Sequence, residues 1–71
     1  LNVTPFEYLM KYRILESTKR MHRKPLDSIS EIAGSVGFNN TSYYNKIFKK
    51  YMDCTPTEYR NTIKKELPKL T

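Results

Sequence analysis

Thr41, Ser42, Asn45, Lys46 and Lys49 either donate and accept hydrogen bonds or carry positive charge, and their spacing would gather them on one side of a helix. Advancing about 100° per residue from Tyr44 puts Ile47, Phe48 and Tyr51 on one narrow apolar stripe. Ser42, Asn45, Lys46 and Lys49 fall opposite it, with Thr41 at the entry turn. Such a face offers recognition chemistry. Short polar groups near a helix N-terminus can meet base edges in a major groove, while lysines further along neutralise phosphates. Reaction chemistry is not on offer, because the chain lacks a plausible nucleophile and base pair, a glycine-rich phosphate loop and a paired-carboxylate site. Cys54 and His22 do not have metal-ligand spacing. No enzyme activity, cofactor or metal is therefore expected. A lysine-rich helix standing alone is most simply a solvated face, so the reading depends on what precedes it.

What precedes it is a second, shorter helix and a turn. Ser28 is a candidate N-cap with Glu31 three residues on, a capping box that satisfies otherwise orphaned backbone donors. Ile29, Ile32, Ala33 and Val36 then recur at helical spacing. Gly37 follows where a chain leaving a helix enters the left-handed region at little cost to a residue without a Cβ. Phe38 is the apolar plug at the corner, and Asn39 or Asn40 caps the next helix. Ala33 and Gly34 are small enough for two helices to cross closely there. Residues 28–51 are thus expected to form a helix-turn-helix, with its recognition helix at about 40–51.

Thr4 and Pro5 open an earlier helix at 5–22, as N-cap and first helical residue. Phe6, Leu9, Met10, Ile14, Ser17 and Met21 group on one side of it, and Tyr8, Tyr12 and Leu15 lie roughly opposite. A helix apolar on two sides is usually buried between two bodies. The remaining chain supplies one, so the second face predicts a missing partner. Arg13 lies inside the first stripe, where burial would require a carboxylate such as Glu31 or Glu58. Pro25 makes residues 23–27 a loop. Thr55, Pro56 and Glu58 open a closing helix at 55–65 with another capping box, running through Tyr59 and Ile63 and leaving 66–71 as a tail. The expected fold is all-α with about four helices, a homeodomain-like helix-turn-helix preceded by a long linker helix.

Seventy-one residues make one small domain with a thin stability margin. Hydrophobic residues at 38% exclude the composition of a disordered chain. No apolar run approaches a membrane span or secretory signal, which predicts a cytoplasmic protein with no membrane partner. The net charge of +6 favours a polyanionic partner. Its cations lie along Lys11–Lys24, Lys46–Lys50 and Arg60–Lys69, mostly on expected helices rather than in a basic arm. The start at Leu1 rather than Met suggests an excised piece of a longer protein.

Ser28-Ile29-Ser30-Glu31-Ile32-Ala33, Val36-Gly37-Phe38, Tyr43-Tyr44, Phe48-Lys49-Lys50 and Thr55-Pro56-x-x-Tyr59-Arg60 together resemble the C-terminal signature of AraC/XylS-type bacterial transcription regulators. Pro5, Tyr8-Leu9 and Arg13-Ile14 resemble the helix before it. The resemblance covers nearly the whole chain up to Arg60. It implies a DNA-binding unit of two helix-turn-helix motifs joined by a long helix, of which this chain would be the connecting helix, the second motif and the closing helix. The first motif would be the missing partner of the two-faced helix. Asp53 stands where the family often has Gly, and Tyr44 where Phe is common.

The resemblance puts the base-reading positions on Thr41, Ser42, Asn45 and Lys46, mostly the residues that the helical wheel selects. Asn40, Lys49, Lys50 and Arg60 are the expected phosphate contacts. The leading expectation is a sequence-specific module for double-stranded DNA, with its recognition helix in the major groove. The alternative is an interaction module that contacts RNA polymerase or a neighbouring regulator. An RNA binder would want aromatics exposed for stacking, whereas the wheel buries most of them.

Overall fold

The computed structural model describes residues 4–66, with the side chains of residues 65 and 66 outside that description. Residues 67–71, most of the expected tail and the site of Lys69, lie outside the described residues. Four helices follow in order among the described residues: α1 (Pro5–Arg23), α2 (Ile29–Ser35), α3 (Thr41–Met52) and α4 (Pro56–Glu66). There is no strand among these residues.

Local chemistry fixes the helix starts. Thr4, Ser28 and Thr55 each accept a bond from the amide of the glutamate three residues on, Glu7, Glu31 and Glu58, whose carboxylates reach back to the capping residue's own amide. Each box satisfies two donors that a helix start would otherwise leave open. These bonds to Thr55 hold the Glu58 carboxyl below the usual carboxylate range. Asn40, rather than Asn39, caps α3 by accepting from the Tyr43 amide at 2.9 Å.

Two of the three connections between helices use the left-handed region. Gly37 has φ 95°, which glycine adopts without strain, and a Cβ there would lie a tight 3.2 Å from Arg13 Cζ. Asp53 ends α3 at φ 61°, with its amide donating to the Lys49 carbonyl at 2.9 Å. A glycine at that position, common in the family that the chain resembles, would adopt this conformation without strain.

The core is Met10, Ile14 and Met21 of α1, Ile32 and Ala33 of α2, Phe38 of the turn, Tyr44 and Phe48 of α3, and Ile63 of α4. Tyr44 Oη donates to Ser17 Oγ at 2.8 Å, and Tyr51 Oη donates to the Glu7 carbonyl at 3.4 Å. As α3 advances from 44 to 51 its partners on α1 retreat from 17 to 7, so the two helices run antiparallel. Aromatic contacts continue from Phe38 to Tyr44, Phe48 and Tyr59, with centroids 5.2, 5.7 and 5.8 Å apart. That series ties the turn, α3 and α4 together by ring packing.

Three expectations are corrected. Phe6 and Leu9 are exposed rather than part of the core stripe, although Met10 in the same turns is buried and Tyr51 reaches the Glu7 carbonyl. Gly34 is exposed, and a Cβ added to it would meet nothing within 4 Å, so Ala33 alone lies in the close crossing. Arg13 pairs with neither Glu31 nor Glu58: those carboxylates cap their own helices, and the half-buried guanidinium keeps access to water beside Gly37. Of the nine aromatics, Phe6, Tyr8, Tyr12 and Tyr43 are exposed and the other five are buried or half-buried.

Candidate nucleic-acid interface

α3 presents a clear division. Tyr44 and Phe48 are fully buried, and Ile47 and Tyr51 pack partly against the core. Ser42, Asn45, Lys46, Lys49 and Lys50 are exposed, and Thr41 is half-buried at the first turn. From Ser42 to Lys49 the face extends about 10 Å at 1.5 Å per residue. Uncharged hydrogen-bonding groups occupy its start and cations its later turns. Lys49 and Lys50 also lie in the last turn, where positive charge complements the helix dipole.

Individual groups are constrained differently. The Asn40 side-chain oxygen is occupied by the Tyr43 amide, which leaves its NH₂ as the group free to donate. The Thr41 hydroxyl reaches across to α2, 3.4 Å from Ser30 Oγ. The Lys50 ammonium lies 5.5 Å from the centroid of the Tyr51 ring, within cation–π range.

Arg60 stands apart from the other expected phosphate contacts. It is half-buried, its Nη2 donates to the Asp27 carbonyl, and its buried Nε has no partner among the described residues. Arg20 takes the Asp27 carboxylate through Nε and Nη2, both 3.1 Å from Oδ2. The two arginines therefore clasp the residue before Ser28, joining α1 and α4 to the start of the helix-turn-helix. Spacing along α4 could not reveal this acceptor thirty-three residues away.

Ser30, which touches Thr41, lies within the family signature but was not among the expected contacts, because a small polar side chain on the outward side of a capped helix is too common to single out. Among the described residues no group of three His, Cys, Asp or Glu could hold a metal ion. None of the described helices is long and apolar enough to cross a membrane.

Comparison with known proteins places this geometry in a family. A family model described as a helix-turn-helix domain matches residues 1–62. The chain is 40% identical over 60 residues to an uncharacterized HTH-type transcriptional regulator, YdeC, of Bacillus subtilis, covering 84% of this chain and 20% of the relative. It is 35% identical over 60 residues to the HTH-type transcriptional activator RhaR of Mannheimia succiniciproducens, covering 84% of this chain and 21% of the relative. The uncharacterized transcriptional regulatory protein YesN of Bacillus subtilis is 38% identical over 55 residues, 76% of this chain and 15% of the relative. The chain thus spans about a fifth of the length of the first of these relatives. No solved structure gives a significant match. With the family model covering most of its length and the capped helix, glycine turn and polar-faced α3 all present, the chain belongs to the AraC-type helix-turn-helix family of transcription regulators.

Proposed function

We propose that this chain is a sequence-specific DNA-binding module of a bacterial transcription regulator acting in the cytoplasm, with α3 lying in the major groove. Thr41, Ser42, Asn45 and Lys46 meet base edges, and Asn40, Lys49 and Lys50 meet phosphates. The observation that carries the reading is the exposed face of α3, polar at its start and cationic further along, held outward by the burial of Tyr44 and Phe48. The mechanism is recognition alone. Lysines neutralise phosphates and release counterions, which supplies affinity, while groups at base edges supply discrimination. Tyr8, Tyr12 and Leu15 of α1 meet another part of the longer protein, a first helix-turn-helix motif by the family resemblance.

One motif makes few base contacts, so the 71-residue chain binds duplex DNA weakly and with little preference. Sequence-independent binding of this kind has Kd values of about 10⁻⁴ to 10⁻⁶ M at physiological salt and weakens steeply as salt rises. A fluorescence titration of labelled duplex over a salt series measures both properties. Tight, salt-insensitive binding, or no binding even at low salt, would count against the DNA reading.

A further inference from the structure

We propose that Ser30 is a positioning residue for base recognition: it fixes the side chain of Thr41 and so sets discrimination at the base pair that Thr41 faces. The inference rests on the DNA reading above and adds to it a residue from outside the recognition helix.

Thr41 opens α3, and Ser30 is the second residue of α2. Their hydroxyl oxygens are 3.4 Å apart across the seam between the two helices, with Thr41 Oγ1 directed at Ser30 Oγ. Neither hydroxyl has another side-chain partner among the described residues. A threonine further along a helix can turn its hydroxyl back onto the carbonyl three or four residues earlier, as Thr18 does with Leu15. Thr41 is the first residue of α3, so no earlier turn of its own helix supplies such an acceptor. A β-branched side chain has few rotamers, and Thr41 is half-buried against α2. The Ser30 oxygen then favours the rotamer that directs the Thr41 hydroxyl towards it. That choice determines whether the Thr41 hydroxyl or its methyl group is presented outward, and a major groove distinguishes the two, since hydroxyls pair with polar base edges and methyls pack on the thymine methyl.

The contact is long for an O–H···O bond, so its effect should appear in discrimination rather than in folding. Ser30 is exposed, and its hydroxyl caps no helix. Losing it removes a preference for one rotamer and leaves the core of the fold intact.

The test uses the full-length protein that carries this chain, and duplexes randomised one base pair at a time around its preferred site. Wild type, Ser30→Ala, Ser30→Thr, Thr41→Val and the Ser30→Ala/Thr41→Val double variant are compared, with circular dichroism as the check on folding. A contact this long is worth at most the low end of a net hydrogen bond, so Ser30→Ala should relax preference by about twofold. The relaxation should fall on the same base pair that Thr41→Val affects. The double variant should be no worse there than Thr41→Val alone, and Ser30→Thr should keep the wild-type profile. An even loss of affinity for every duplex in Ser30→Ala, or an unchanged profile alongside a relaxed Thr41→Val, overturns the inference while leaving the DNA reading intact. Additive effects of the two substitutions, or a Thr41→Val profile identical to wild type, overturn it equally. Absence of any sequence preference in the wild type overturns both.

Discussion

At the scale of single residues, α3 divides its work between neighbours. Asn45 and Lys49 are both exposed on its outer face, Asn45 nearer the start of the helix and Lys49 in its last turn. In the full-length protein Asn45→Ala should narrow the gap between preferred and random DNA by about 1–3 kcal/mol if the contact is bidentate. Lys49→Ala should weaken binding to both and lower the salt slope by about one. Arg60→Gln supplies the contrast: a clasp on Asp27 predicts a lower unfolding temperature with the salt slope unchanged, because that guanidinium is half-buried against the fold. A slope reduced as much as in Lys49→Ala would show Arg60 to be a phosphate contact. Tyr44 makes a separate prediction about pH. Burial, partly offset by the bond to Ser17, pushes its phenol up to about 12, so the folded state retains a proton that the unfolded chain releases near 10. Its contribution is complete below about pH 10 and is lost as pH rises towards 12, with a slope approaching 1.4 kcal/mol per unit. Tyr44→Phe should cost about 0.5–1.5 kcal/mol at neutral pH, by leaving Ser17 without its donor, and should remove that part of the alkaline loss. Chemical denaturation of both proteins from pH 7 to 12 measures the difference.

At the scale of elements, the two glycines that bracket the end of α2 have opposite roles. Gly37 is favoured by its φ of 95°, and a Cβ there would press on the Arg13 guanidinium at 3.2 Å. Gly34 is in a helix, exposed, with open space where a Cβ would stand. Replacing it with alanine reduces the freedom of the unfolded chain without a clash, so Gly34→Ala should stabilise the domain by about 0.5–1 kcal/mol. Gly37→Ala should destabilise it by at least about 1 kcal/mol, the cost of left-handed backbone for a residue with a Cβ. Thermal unfolding of the two variants beside wild type checks both signs at once. A loss in Gly34→Ala would mean that the small residue serves a crossing after all.

For the whole molecule, the notable feature is an apolar face with no cover. Tyr8, Tyr12 and Leu15 are 68%, 52% and 43% exposed on the side of α1 away from the core. Covering such surface contributes about 25 cal/mol per Å², so the isolated chain should self-associate or be less stable than the same residues within the longer protein. Changing Tyr12 to Ser and Leu15 to Glu should reduce association with little loss of helix content, since neither side chain is in the core. Sedimentation velocity and circular dichroism decide the matter. Unfolding of the double variant would show that this face supports the chain's own fold and needs no partner.

What the sequence determined by itself was local. Capping boxes act over three residues, the Gly37 turn over two or three, and the stripe of α3 over a few helical turns, so residue type and spacing were enough to locate the helices and the outward face. The family signature was legible for the same reason, being a set of short motifs in order. Tertiary structure decided whatever depends on segments distant in the chain. It left Phe6 and Leu9 uncovered, laid Arg13 on Gly37 rather than beside Glu31 or Glu58, committed Arg60 to Asp27 and brought Ser30 to Thr41. A helical wheel reports the direction of a side chain about its own axis. Whether another element meets it there depends on how helices cross, and that crossing is set by the packing of the entire core around Tyr44 and Phe48.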